Sequence, residues 1–225
     1  MAFLSWKKKL ITTQKGGRFL KDFTKIKDAI CFSLVNRETK QEVLSGHPHI
    51  EVLDLAMLFY YKRAEGYKEG ATITICERDR KKWGITLEKL HEVALVNTIN
   101  LLPSVFQTIE QIIDDIAKEE NLPSPCEKET KERMYVLTNE EKYLGAGTIL
   151  YPGVLRKVYE RLGVEFFVLP SSTHEVIIMP DIGSVNAPNL QSLVADMNKH
   201  FLEADEVLSN SVYRYDAEAD ELVVT

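Results

Sequence analysis

The sequence predicts an α+β fold, with a helical N-terminal half packed with a C-terminal antiparallel or mixed sheet of ββα-ββα-ββ order. Three features predict it. Strand-like runs in the last ninety or so residues are joined by short connections, and parallel neighbours would need crossovers of roughly a dozen residues or more. Apolar stripes at helical spacing alternate with those runs, so helices lie against one face of the sheet. A polar, proline-punctuated stretch from Glu119 to Arg133 separates this pattern from a more helical first half. The chain accordingly reads as a basic N-terminal segment (1–28), a mostly helical region (29–120), a linker or surface loop (121–133) and an α+β domain (134–225).

In chain order, Phe19 to Ile30 reads either as a short helix or as the lead into a strand at Ala29–Val35. Glu51–Lys62 is apolar around most of its circumference and reads as a central helix. Ala71–Cys76 is short, β-branched and alternating, the mark of a strand. Thr86 is placed to cap a helix reaching about Thr98. Ser104 and Gln107 fit a capping box for a helix carrying Val105, Ile109, Ile112, Ile113 and Ile116 on one face. Strands are expected at Met134–Thr138 and Gly147–Tyr151. A helix then opens at Pro152 and stops at Gly163, where a left-handed residue is wanted. Strands Glu165–Leu169 and Glu175–Met179 follow, then a helix near Pro188 lined by Leu190, Leu193, Val194, Met197 and Phe201. A hairpin of Ser211–Tyr215 and Leu222–Val224 closes the pattern.

Composition narrows the function classes. With 225 residues, 44% hydrophobic and 28% charged, the chain buries enough apolar surface to fold without disulfides or metals. Cys31, Cys76 and Cys126 are scattered and odd in number, which reads as free thiols in a reducing, cytoplasmic compartment. No window holds the roughly 20 apolar residues of a membrane span, and the N-terminus lacks the pattern of a secretory signal. A net charge of −6 makes nucleic acid an unfavoured partner. The basic run Lys7, Lys8, Lys9, Lys15, Arg18, Lys21, Lys25 and Lys27 keeps that reading as the weakest of three.

The densest cluster of chemistry-bearing side chains lies in Leu169-Pro-Ser-Ser-Thr-His-Glu-Val-Ile-Ile-Met-Pro180. Ser171, Ser172, Thr173, His174 and Glu175 are the candidate binding residues. They sit on a loop between two strands, where sites are commonly displayed. The same residues also suit a plain turn, with Pro170 setting φ and the serines bonding nearby amides. If His174 and Glu175 both lie in the strand, they point to opposite faces and form no couple. Only a turn extending through His174 brings the imidazole toward a serine.

Finished catalytic signatures are missing. His174-Glu-Val-Ile-Ile178 has isoleucine where a zincin needs its second histidine. No GxSxG elbow precedes a helix, and Gly145-Ala-Gly147 lacks the spacing of a phosphate loop; it reads as close backbone packing at a strand start. His47-Pro-His49 has no third ligand at recognisable spacing. No metal, cofactor or catalytic residue is assigned from these patterns.

Several segments in order carry a family resemblance: Trp83-Gly-Ile-Thr86 with Leu90, Ala94, Asn97 and Thr98, then Tyr135-Val-Leu-Thr-Asn139, Gly145-Ala146 and Ile149-Leu-Tyr-Pro152. Phe167 to Glu175 and Val207-Leu-Ser-Asn-Ser-Val-Tyr213 complete it. Over roughly Ala71 to Tyr215 the chain resembles an uncharacterised bacterial domain-of-unknown-function family with a Leu-Pro-Ser-Ser-x-His-Glu signature, common in gut Firmicutes and often near mobile elements. The resemblance implies a cytoplasmic bacterial protein and supplies no catalytic residues.

The leading expectation is a non-enzymatic binding or regulatory protein that engages an unknown protein or small ligand at the 169–180 turn. The alternative from another class is a hydrolase-like enzyme using Ser171 or Ser172 with His174 and an acid such as Asp181 or Glu175. Oligomeric state is left open.

Overall fold

The computed structural model describes residues 22–62, 72–122, 134–170, 172–183 and 187–225. Most of the basic N-terminal segment, most of the expected linker and Ser171 lie outside these residues. The chain divides after Pro103 into two compact units. The overall class is α+β, with an antiparallel sheet in each unit.

In the first unit, α1 (Phe23–Ile26) is capped by the Asp22 carboxylate, which accepts from Thr24 N at 3.0 Å. A 3-10 turn (Lys27–Ala29) leads into β1 (Ile30–Asn36), α2 (Gln41–Leu44), β2 (His49–Val52), β3 (Leu55–Lys62) and β4 (Thr72–Thr74). Helices α3 (Glu77–Trp83) and α4 (Leu87–Leu101) follow. Strand β3 is central. It pairs with β1 along one side, and with β2 and then β4 along the other, all antiparallel.

This corrects the helix expected over Glu51–Lys62. The segment is the end of β2, a two-residue turn at Leu53-Asp54 with Leu53 at φ 56°, and β3. Leu55 to Tyr60 are all buried, because β3 is covered on both faces. An apolar run without alternation fits a doubly covered strand as well as a buried helix, so periodicity alone does not separate them.

Helix α4 starts where the sequence places it, with the Thr86 hydroxyl accepting from Lys89 N at 3.2 Å. It packs against β1, an edge strand whose unpaired amides need partners. Thr98 Oγ1 accepts from Phe32 N at 3.0 Å, and Asn97 Nδ2 donates to Ile30 O at 2.9 Å. The helix thus closes the edge with side chains.

The second unit runs β5 (Ser104–Thr108), α5 (Ile109–Glu119), β6 (Tyr135–Asn139), a 3-10 segment (Gly145–Leu150), α6 (Val154–Leu162), β7 (Phe166–Leu169), β8 (Val176–Pro180), α7 (Ala187–Phe201), β9 (Tyr213–Asp216) and β10 (Glu221–Val224). Its sheet has the order β10-β9-β7-β8-β6-β5, antiparallel throughout. Gly163 ends α6 in the left-handed region, φ 72°, as expected.

Three expectations are revised here. The capping box is Thr108–Gln111, four residues later than read from the sequence: Thr108 Oγ1 accepts from Gln111 N at 3.1 Å and Gln111 Oε1 from Thr108 N at 2.9 Å. Ser104–Thr108 is instead recruited as a strand by β6. The strand expected at Gly147–Tyr151 is a 3-10 segment, although Gly145 does pack closely: a Cβ there would lie 2.2 Å from Thr138 Oγ1 and 2.6 Å from His174 O. Finally, helices cover both faces of the sheet. Phe167 and Leu169 pack with Leu190 and Val194 of α7, while Phe166 stacks on Tyr215 at 5.0 Å, and Tyr215 meets Tyr159 of α6. Side chains alternate along a strand, so these two sets lie on opposite sides.

No helix among the described residues is long and apolar enough to cross a membrane.

Candidate functional site

The turn between β7 and β8 extends through His174 and Glu175, since β8 begins at Val176. Its backbone is pinned from two sides. Toward the segment after α7, Ser172 forms an antiparallel bridge with Val207, Thr173 N donates to Glu206 O at 2.9 Å, and Ser209 N donates to Pro170 O at 2.9 Å. Toward β6 and the 3-10 segment, Thr138 Oγ1 donates to His174 O at 2.7 Å and Ala146 N to Thr173 O at 3.3 Å. Buried amides and carbonyls must be paired, and here the pairing fixes the turn's conformation.

The hydroxyls face inward. Ser172 is 2% exposed, and its Oγ accepts from His174 N at 2.9 Å, a local side-chain brace of the kind that serines make in turns. Thr173 is 3% exposed, and among the described residues its Oγ1 has no hydrogen-bond partner. Neither hydroxyl is presented to solvent.

His174 is held by a backbone amide. Leu144 N donates to His174 Nδ1 at 3.1 Å. Leu144 sits in the left-handed region, φ 53°, an unfavourable conformation for a branched side chain. Asn139, 1% exposed, supports the loop before it: Nδ2 donates to Tyr143 O at 2.9 Å, and Oδ1 accepts from Tyr143 N at 3.3 Å. The Tyr143 ring lies 5.3 Å from the imidazole. On the other edge, His174 Nε2 is 3.9 Å from Glu206 Oε1.

This wiring sets the tautomer. A nitrogen that accepts a hydrogen bond carries no proton, so the neutral ring is protonated at Nε2. Burial holds the imidazole below its ordinary pKa, and the Asp205 carboxylate only partly opposes that. Glu175 moves the other way. Although the residue is only half-buried, loss of water around its carboxyl pushes its pKa from 4.5 up to about 7, the Ser172 hydrogen bond works against the rise, and repulsion from Glu206 adds to it. Burial thus disfavours the charged form of two neighbouring groups. Groups perturbed in this way mark candidate functional sites.

A serine hydrolase needs the reverse arrangement: an acid on the Nδ1 proton, and a bare Nε2 facing the nucleophile. Among the described residues no hydrogen bond joins the imidazole to the Ser172 hydroxyl. Asp181, the acid considered from sequence, lies just beyond the far end of β8 and accepts from Arg214 Nη2 at 3.2 Å; that guanidinium also meets Glu165 at 2.6 Å. A metal-binding histidine likewise donates from its second nitrogen to an oxygen, which His174 does not do. No group of three or more His, Cys, Asp or Glu among the described residues is placed to hold a metal ion.

Of the residues singled out from sequence, Ser172, His174 and Glu175 converge, Thr173 contributes mainly backbone, and Ser171 lies outside the described residues. Leu144, Asn139, Tyr143, Asp205 and Glu206 were not anticipated as site residues. Asn139 and its neighbours do stand in the motif Tyr135–Asn139, but the decisive donor is a main-chain amide and carries no side-chain signal.

These features define a two-unit α+β protein with a polar, backbone-pinned turn at its candidate site. The chain belongs to a family of unknown function, DUF5688, whose model matches residues 6–217. The relationship therefore reaches well before Ala71, where the sequence resemblance began. Comparison with curated proteins finds no match, and comparison with solved structures finds none.

Proposed function

We propose that this is a non-enzymatic binding or regulatory protein of the bacterial cytoplasm, associated with mobile elements, that engages a protein or small ligand through the 169–180 turn. The observation that carries the reading is the hydrogen bond from the Leu144 amide to His174 Nδ1. It leaves the imidazole a donor at Nε2 and unfit as the base for a serine. The inward Ser172 hydroxyl, already bonded to the His174 amide, supports the same conclusion. Among the described residues Cys31 and Cys76 form no disulfide, in keeping with a reducing compartment.

The test is a ligand-stabilisation screen on wild type and His174→Ala. A ligand of the folded state at about 100 times its Kd adds about 2.7 kcal/mol of stability. A compound or peptide that raises the melting temperature of wild type but not of the variant supports the site. Ester or amide turnover that disappears in Ser172→Ala would replace this reading with the hydrolase.

A further inference from the structure

We infer that the 172–175 turn is an acid-released latch: a proton taken up at His174 Nδ1 ejects the imidazole from the Leu144 amide and frees the turn from the 144–146 segment. The inference rests on the site reading above for its consequence, since it supplies that site with a regulator. The latch itself is observable without any ligand.

The geometry makes the ring a two-position element. In the neutral position Nδ1 accepts from Leu144 N at 3.1 Å. An imidazolium carries a proton on both nitrogens, so the same position would set an N–H against an N–H. The charged ring must leave, and it has somewhere to go. Among the described residues the titratable groups facing it are Glu206, whose Oε1 is 3.9 Å from Nε2, Asp205 from the same segment and the Tyr143 ring; Glu175, next in the chain, acts on Glu206 by repulsion. Asp205 and Glu206 attract the cation, so protonation moves the ring away from Leu144 and toward the segment after α7.

What is released on the other side is strained. Leu144 holds a left-handed conformation, φ 53°, which is rarely adopted without a compensating contact. Its amide loses its acceptor when the ring departs. The next contact along, Ala146 N to Thr173 O at 3.3 Å, is long and gives little resistance. By contrast, the bonds from Thr173 N to Glu206 O and from Ser209 N to Pro170 O are both 2.9 Å and do not involve the ring. The turn therefore stays joined to the 206–209 segment, and to β6 through Thr138 Oγ1, which donates to His174 O at 2.7 Å, while its ring and the Thr173 carbonyl part from the 144–146 segment.

Nuclear magnetic resonance on the full chain tests this directly. Imidazole nitrogen shifts and amide exchange are followed while the pH falls from about 8 to about 5, the range in which histidine changes charge. The expected result at the upper end is a His174 ring protonated at Nε2 only, with a protected Leu144 amide. On acidification that protection drops by roughly tenfold or more, with the midpoint of His174 itself and below the ordinary histidine value. Glu206→Gln moves the midpoint lower still, because one attraction for the cation is gone. The amides of Phe32 and Val168 keep their protection, which separates local release from unfolding. A ring protonated at Nδ1 at the upper end would overturn the latch. So would a Leu144 amide that stays protected while His174 titrates, or a loss of protection shared by Phe32 and Val168. A negative ligand screen leaves each of these outcomes readable, so failure of the latch and failure of the site are distinct results.

Discussion

Replacing Glu175 with glutamine stabilises the protein at high pH and leaves it nearly unchanged in acid. The carboxyl takes up a proton at about 7 when folded and at 4.5 when free, so between these values the folded state binds more protons than the unfolded one. Stability then falls as pH rises through that window, and the ionised group costs the fold a fixed amount above it. At 1.36 kcal/mol per pH unit, the penalty above pH 7 is about 3 kcal/mol, half developed near pH 5.5 to 6. Glutamine keeps an oxygen to accept from Ser172 but has no charge to desolvate. The assay is urea denaturation of wild type and Glu175→Gln at about pH 8 and about pH 4.5, taking the difference in unfolding free energy at each. The variant should lead by about 3 kcal/mol at the upper pH and by less than about 0.5 kcal/mol at the lower. His174 contributes in the opposite sense, since its lowered pKa makes the fold lose stability as pH drops below 6.5, but that contribution is common to both proteins and cancels. A difference that does not change with pH would refute the placement of this carboxyl.

Three further substitutions probe the scaffold. Ser172→Ala removes the acceptor of the His174 amide and should cost about 1–2 kcal/mol by urea denaturation, with no loss of any turnover. Gly145→Ala forces a methyl to within 2.2 Å of Thr138 Oγ1 and should destabilise the second unit by about 3 kcal/mol or more, read as an earlier transition on melting. Thr98→Val removes the hydroxyl that accepts from Phe32 N at the covered edge of β1 and should cost about 1–3 kcal/mol, with exchange of that amide accelerated.

Legibility in the sequence followed the range of the interaction that decides each element. Thr86 caps α4 through an amide three residues away, and Gly163 ends α6 through its own backbone, so both were readable. The capping box was not. Ser104–Gln107 and Thr108–Gln111 carry the same pattern four residues apart, and the choice between them is made by β6, which pairs with 104–108 from beyond the intervening helix. Glu51–Lys62 failed for a similar reason: Leu55 to Tyr60 are all buried, which erases the alternation that would mark β3, and the strand is fixed by pairing with β1 some twenty residues earlier in the chain. At the site, the clustering of Ser172, His174 and Glu175 was visible as a polar turn. Their roles were not, because the hydroxyl's inward position and the ring's tautomer depend on Val207 and on an amide thirty residues away.

The two nitrogens of His174 can be separated by substitution, and that separation is the sharpest trial of the site. Asparagine carries an amide at the level of Nδ1 and nothing at Nε2. Its side-chain oxygen can accept from Leu144 N, so His174→Asn should preserve the 139–146 loop and remain within about 1 kcal/mol of wild type. Alanine leaves that amide without its acceptor and should cost about 1–3 kcal/mol. If the turn works by donating from Nε2, both variants lose ligand-induced stabilisation equally, although only alanine loses intrinsic stability. Asparagine also lacks a titrating ring, so the Leu144 amide in that variant should stay protected across the pH range where wild type releases it. An asparagine variant as unstable as alanine would mean that Leu144 is not held through Nδ1, and the tautomer, the exclusion of base catalysis and the latch would fall together.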